Sequence, residues 1–411
     1  MSIFGVLGFV LFGASVVAGS FSSPPAELYS ALVAEKIRTT ALVPPNPMQY
    51  PQYTDRTVGE WLYFSPDTWT TGFFPATLYA MYERAKYCHW EADNVSEWLT
   101  LGRQWGSAEI PLETNNTLQH DVGFVSYPFI AELEVDPGNQ TAITAVNQFA
   151  ADLAARFNPT VGCTRSWDTP NPVDFEVIMD NMMNLELFFV SEALTGNRTF
   201  VDMAISHANK TMQHHVRPDG SSFHVVEYNA TSGDVIARFT AQGYSNSSTW
   251  SRGQAWGIYG FANSTAIDAP TVYMHTHIFD YLETSRHMAS YFLAHLPDDG
   301  VVPWDFNAPL TPPRPADSSA AMVAANGLIL LAQQEASLIP SNTTGYSYYI
   351  EAAVELLRAN IELAWRPSWQ SLLANGTVNN PEHNNLTGIV YGDYYFVKAG
   401  NELLNMNITA C

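Results

Sequence analysis

Thr70-Thr71-Gly72-Phe73-Phe74-Pro75 sets the reading of this chain: a short turn of polar and small residues runs straight into an apolar, aromatic-rich segment. The same opening recurs at His120-Asp121-Val122-Gly123-Phe124, Asp180-Asn181-Met182-Met183-Asn184, Ser251-Arg252-Gly253-Gln254-Ala255-Trp256, Asp317-Ser318-Ser319-Ala320 and Gly392-Asp393-Tyr394-Tyr395-Phe396. From Thr71 through Asp121, Asp180, Ser251 and Asp317 to Asp393 the intervals are 50, 59, 71, 66 and 76 residues. Each interval can hold two helices and their connections, so the pattern predicts six helical hairpins. If the six apolar segments are the inner helices of a closed ring, their N-termini meet at one end. That end gathers unpaired backbone N–H groups and positive dipole ends, which suits an anionic ligand.

Between the openings the chain reads as helical. Ile143, Val146, Phe149, Ala150, Leu153 and Phe157 fall on one face of a helix, as do Ile350, Val354, Leu357 and Ile361. The one clear strand signal is Phe223 to Tyr228, which a turn at Asn229 to Gly233 joins to Asp234 to Phe239 as a hairpin inserted near 223–239. Pro303 to Pro315 is a Pro-rich loop before the fifth opening.

No Gly/Ser/Pro linker divides the 411 residues, so residues 20–411 are expected to form one domain. A formal net charge of −22 argues against nucleic acid or an anionic membrane surface as partner. It leaves room for a small anionic substrate held by local cations, because exposed charges are screened beyond roughly 8–10 Å. Ile3 to Val17 is apolar and ends in Val16-Val17-Ala18-Gly19-Ser20, the pattern of a signal peptide over residues 1–19. Twelve N-x-S/T sequons, beginning at Asn94, Asn115, Asn139, Asn197, Asn209, Asn229, Asn246, Asn263, Asn342, Asn375, Asn385 and Asn407, point the same way, to a secreted and N-glycosylated protein. Nothing else is long and apolar enough to span a membrane. Cys88, Cys163 and Cys411 allow at most one intramolecular disulfide, with its pairing open, and have no metal-binding spacing.

Asp180 has apolar neighbours on both sides. It is either a helix N-cap or a carboxyl carried into a desolvated site, where a raised pKa would let it donate a proton near neutral pH. Asp121 repeats the ambiguity one interval earlier, and two carboxyls at matching ends of adjacent inner helices would face each other. Arg252 at a helix start is set against the dipole. It therefore needs a partner, either a ligand carboxylate or a structural Asp such as Asp305 or Asp317. Trp69 and Trp256 either stack on a sugar or fill the core. His224 is suited equally to a pocket and to a surface, whereas the spacing of His207, His214 and His215 predicts solvated side chains on a helix surface.

At these residues a resemblance becomes specific. Asp180 to Leu185, then Val216 to Ser221, His224 to Tyr228, Gln242-Gly243-Tyr244 and Ser248 to Trp256, resemble the unsaturated glucuronyl hydrolases, family 88 of the glycoside hydrolases. Trp69 to Pro75, His120 to Phe124, Trp304-Asp305-Phe306 and Asp317 to Ala320 match the same family in the same order, so the resemblance covers nearly the whole chain. It implies an (α/α)6 barrel, no cofactor or metal, and substrates that are oligosaccharides ending in a 4,5-unsaturated uronic acid, the products of polysaccharide lyases. It also implies catalysis by Asp180, which protonates C4 of the vinyl ether and activates water for addition at C5, with Asp121 assisting. Trp69, His120, His224, Gln242, Arg252 and Trp256 are then expected to line the subsite of a monomeric enzyme. Ala241 departs from the pattern, standing where several relatives have a His before the Gln, which bears on the sugar, sulfation or linkage preferred. An unsaturated rhamnogalacturonyl hydrolase and a catalytically silent sugar-binding protein on the same scaffold are the alternatives.

Overall fold

The computed structural model describes residues 21–262, 264–265, 269–270, 276 and 278–411. The expected signal peptide and the sequon asparagine Asn263 lie outside the described residues. In chain order the helices are α1 (Ala31–Ala41), α2 (Phe73–Tyr87), α3 (Ala92–Ser107), α4 (Val122–Val125), α5 (Tyr127–Val135), α6 (Gln140–Ala155), α7 (Leu185–Thr195), α8 (Arg198–His214), α9 (Ser251–Ala262), α10 (Phe279–Ala294), α11 (Ser318–Ser337), α12 (Thr343–Ala364) and α13 (Val390–Asn405).

Every opening leads into an inner element. These are α2, α4 with α5, the 3₁₀ turn Met179–Asn184 with α7, then α9, α11 and α13, which starts just before Asp393. Neighbours in this order touch, and α13 packs back on α2, so the ring closes. α3, α6, α8, α10 and α12 pack outside it. α1 takes the sixth outer place: its Arg38 pairs with Glu97 of α3 at 2.8 Å, and its Lys36 Nζ bonds Ser371 O beyond α12 at 2.8 Å. The fold is an (α/α)6 barrel.

Composition separates the two rings. α9 is buried along its whole length and α11 along nearly all of it, so neither carries a polar face. Small residues let inner helices approach closely: a Cβ on Gly327 of α11 would lie 3.1 Å from the backbone nitrogen of Tyr259 in α9. α6 is the outer type, burying Ala142, Val146, Phe149 and Leu153 along one stripe, with Asn139 accepting from Thr141 N and Ala142 N as its N-cap. Phe157 lies past its end, in a short strand Phe157–Asn158.

The hairpin expected near 223–239 is present as Val225–Asn229 and Val235–Phe239, and a third strand, Asp174–Ile178, pairs antiparallel with the first. Its alternation places Phe175 and Val177 inside. It runs directly into the 3₁₀ turn that holds Asp180, and Ile178 lies opposite Val225, the residue after His224. This sheet delivers two candidate site residues to one end of the ring. A separate hairpin, Gly376–Asn379 with Asn384–Thr387, reaches the same end.

Helical surface spacing misplaces two histidines. His207 and His215 are fully buried. His207 Nδ1 accepts from Thr164 N at 3.1 Å, and His215 Nε2 lies 2.9 Å from Val177 O, because α8 is covered by the strand Cys163–Thr164 and the inserted sheet. The cysteine pairing is Cys88–Cys411, with Cys163 buried and free. None of the described helices is long and apolar enough to cross a membrane.

Candidate active site

Asp180 is delivered by the strand Asp174–Ile178 into the 3₁₀ turn Met179–Asn184, and its side chain caps no helix. The acid reading, not the capping one, matches this geometry. The residue is 8% exposed, and its Oδ2 has no hydrogen-bond partner among the described residues. Burial raises its pKa to about 6, against the pull of the Arg252 charge, its own backbone N–H and the nearby Trp256 indole N–H. Trp256 adds this influence without forming a regular hydrogen bond.

Asp121 ends the 3₁₀ turn Gln119–Asp121 at the N-cap position of α4, but its side chain makes no capping hydrogen bond. Its pKa lies well above the ordinary carboxylate value, first because it is desolvated and next because Asp180 is close enough to add like charge, with Arg156 opposing. The two carboxyls therefore lie close enough to interact, on turns that touch across adjacent inner elements. His120 packs beside them, with Nε2 3.2 Å from Asp121 Oδ1 and Nδ1 2.9 Å from the Ser166 carbonyl. Gln119 holds the turn in place from a left-handed backbone conformation, φ 58°, while its Oε1 accepts from Asp168 N at 2.8 Å.

On the other side His224 lies with Nε2 3.9 Å from Asp180 Oδ2. Its ring sits between two tryptophans, Trp250 at 4.2 Å and Trp167 at 6.0 Å, and Trp167 continues to His120 at 6.4 Å. Burial holds both imidazoles neutral, lowering each to about 3.

Arg252 takes the second of the two arrangements open to it. Its Nη1 donates to Asp317 Oδ2 at 2.8 Å and to Thr377 O, and its Nη2 donates to Val378 O at 2.7 Å. Those donors are therefore spent on the protein, and the residue is 1% exposed. Gln242 likewise donates to Val378 O, at 3.2 Å. Together these two side chains pin the strand Gly376–Asn379 against the site. Trp256 is fully buried, within reach of Phe124 and Tyr391, so it presents its N–H and not a ring face. Trp69 is half-buried and packs against Tyr391 at 5.1 Å and Phe124 at 5.6 Å.

The structure thus brings Asp121, Asp180, His120, His224, Arg252 and Trp256 together, with Trp69 and Gln242 on the flanking wall. Sequence reasoning missed Trp167, Ser166 and Arg156. The signal for Trp167 was there: a tryptophan between Ser166 and Asp168 in a polar loop is a poor core residue. Ser166 acts through its backbone carbonyl, which leaves no trace in side-chain type, and the Arg156 guanidinium donates to that same carbonyl from a segment whose spacing gives no sign of it. Among the described residues no group of three or more His, Cys, Asp or Glu is placed to hold a metal ion.

No family model matches the chain. Curated relatives do. An unsaturated glucuronyl hydrolase of Formosa agariphila is 36% identical over 340 residues, 80% of this chain and 78% of the relative. One of Bacillus sp. strain GL1 is 31% identical over 342 residues, 80% of this chain and 85% of the relative. The chain belongs to the unsaturated glucuronyl hydrolases. Solved structures of the family share its architecture. An unsaturated glucuronyl hydrolase specific for heparin superposes with a TM-score of 0.81 at 28% identity, over 93% of this chain and 97% of that one. The Bacillus sp. GL1 enzyme gives 0.80 at 27% over the same shares. Family membership makes the carboxyl pair, buried Asp180 and partly exposed Asp121, part of a glycosidase.

Proposed function

We propose that this chain removes a non-reducing-end 4,5-unsaturated uronic acid from oligosaccharides by hydrating its double bond, with Asp180 as the proton-exchanging group. The observation that carries this reading is the desolvated Asp180, raised to about 6, beside a second carboxyl in a chain of this family. Asp180 gives its proton to C4, which leaves an oxocarbenium ion at C5. Water adds at C5 while Asp180 takes the proton the water loses. The resulting hemiketal opens at the C5–O5 bond, and the hemiacetal so formed at C1 releases the remaining sugar. Because the alkene and not C1 is attacked, the usual link between carboxyl separation and anomeric outcome does not apply.

Asp121 assists at the same sugar, and Trp69, His120, His224 and Trp256 surround it. Arg252 and Gln242 shape the wall through the strand Gly376–Asn379 instead of gripping the uronate with the donors that strand occupies. The Cys88–Cys411 bond supports export to an oxidising compartment, in line with the apolar start and the sequons. Function as a single-domain monomer completes the proposal. The test follows the ultraviolet absorbance of the conjugated carboxylate in a lyase-derived unsaturated disaccharide, with the saturated disaccharide as control. Loss of absorbance with the control untouched is expected; equal cleavage of both would mean ordinary glycosidase chemistry.

A further inference from the structure

We propose that His120 and His224, fixed in opposite tautomers by the backbone, settle the protonation of the carboxyl pair: Asp121 keeps its proton throughout turnover and Asp180 alone exchanges one. The Ser166 carbonyl, 2.9 Å from His120 Nδ1, can only accept, so Nδ1 carries the hydrogen. Nε2 then carries a free lone pair, is buried with no hydrogen-bond partner among the described residues, and has Asp121 Oδ1 3.2 Å away. An ionised carboxylate would set lone pair against lone pair there, whereas a protonated one donates. Arg156 Nη2 also donates to the Ser166 carbonyl, at 3.3 Å, and holds that acceptor in place.

His224 is fixed the other way round. Its Nδ1 accepts the backbone N–H of Ala241 at 3.3 Å and lies 3.2 Å from Thr240 Oγ1. Thr240 Oγ1 itself accepts from Gly243 N at 2.8 Å, which leaves its hydrogen for the ring. Nε2 therefore bears the hydrogen, on the side of Asp180. An N–H there favours the carboxylate, as do Arg252 and the Trp256 indole.

The remaining groups do not upset this order. Asp121 faces His120, Asp180 and Arg156; Asp180 faces His224, Arg252, Asp121 and Tyr391. Behind the imidazoles, His207 and His215 are buried and held neutral by desolvation. Burial and the Asp180 charge outweigh Arg156 at Asp121, in keeping with a retained proton. Resting on the reading of Asp180 as the exchanging group, this placement has a mechanistic use. When Asp180 passes its proton to C4 its new charge meets a neutral neighbour, and the proton it recovers comes from the water adding at C5. Two carboxylates never coexist in the site.

The test is nuclear magnetic resonance of the full chain without substrate, with ¹⁵N-labelled histidine and ¹³C-labelled aspartate. His120→Asn, His224→Asn and Asp121→Asn assign the signals by their loss. The expected spectra show Nδ1–H at His120, Nε2–H at His224, and a protonated Asp121 carboxyl at neutral pH. The same tautomer in both rings, or an Asp121 carboxylate at neutral pH, overturns the proposal. The aspartate spectrum decides it alone if the histidine variants do not fold. A kinetic readout separates positioning from mere packing. His120→Asn keeps a donor for Ser166 but removes the acceptor, so Asp121 ionises beside Asp180 and the falling limb of kcat/KM moves to higher pH. Loss of rate with that limb unmoved counts against it. The spectra need no turnover, so they decide the proton placement independently of the activity assay.

Discussion

Arg252 Nη1 lies 2.8 Å from Asp317 Oδ2, and both side chains are almost completely buried. The pair ties α9 to the start of α11, where Asp317 Oδ1 caps the helix through Ser319 N at 3.1 Å and accepts from Thr377 N at 3.3 Å. Arg252→Met strands that buried carboxylate and frees the strand Gly376–Asn379. The expected cost is about 3–5 kcal/mol of stability, read as a fall in Tm. Loss of the cation also lifts the Asp180 pKa, so the falling limb of kcat/KM moves up. A wild-type Tm in this variant would show that the pair is not structural.

Asp180→Asn is expected to fold and to lose about 10²–10⁴-fold in kcat/KM, the usual worth of a general acid/base group. Its Tm near neutral pH should equal or exceed that of wild type, because a carboxyl that resists ionisation has been removed. Asp121→Asn should be severely impaired as well. Activity within a few-fold of wild type in Asp180→Asn would remove the residue from the mechanism.

Stability should carry the signature of the same group. The folded protein holds the Asp180 proton to about 6, against 3.8 for an ordinary Asp. This contribution is therefore complete below the lower value and is lost as pH rises through the upper one. Asp121, raised for related reasons, acts in the same direction. Between pH of about 4 and about 6 the wild type should lose more stability than Asp180→Asn, measured by urea unfolding at each pH. Parallel losses in the two proteins would contradict the shift. In activity, kcat/KM should fall as pH rises past about 6, where the acid form disappears.

Gly123, two residues after Asp121, admits no side chain. A Cβ there would lie 2.2 Å from Asn184 Oδ1, and Asn184 is held by Asn181, which is in turn bonded to Thr164. Gly123→Ala should cost about 1–3 kcal/mol through overpacking. The activity of its folded fraction should also fall, because the strain separates the elements carrying Asp121 and Asp180. Gly106→Ala is the control: its Cβ meets only Pro128, at 3.7 Å, and a helical Gly→Ala change is neutral to stabilising. Equal behaviour of the two variants in Tm and kcat/KM would refute the packing argument.

Cys88 follows the first inner helix and Cys411 follows the last, 323 residues apart. Removing the bond with Cys88→Ser should lower stability by about 2–5 kcal/mol. Thermal unfolding with and without reductant checks this: wild type should respond to reductant and the variant should not.

The ring of helices was legible because its cause is local. An inner helix must be apolar on every side, so Ser251–Ala262 and Ser318–Ser337 announce themselves in composition, and the turns before them recur wherever the chain re-enters the ring. The strand Asp174–Ile178 was not legible: five residues with three buried positions, the last two adjacent, next to a Pro-containing turn, give too short and broken an alternation to stand out. The burial of His207 and His215 escaped for a different reason. Helical spacing records which residues share a face, but not that an inserted sheet will cover it.

The carboxyls and aromatic residues of the site were likewise visible in the chain, as residue types in a recognisable order. Sequence alone determined the barrel, the family resemblance and the candidates Asp121 and Asp180. Only the tertiary structure decided what each side chain does. Asp317, 65 residues from Arg252, accepts from its guanidinium, and Ser166 and Ala241 fix two imidazoles through main-chain groups that every residue type shares. Local pattern reports propensity and polarity. Protonation, tautomer and partner depend on desolvation and on angstrom-scale distances between distant segments, and those exist only once the ring has closed.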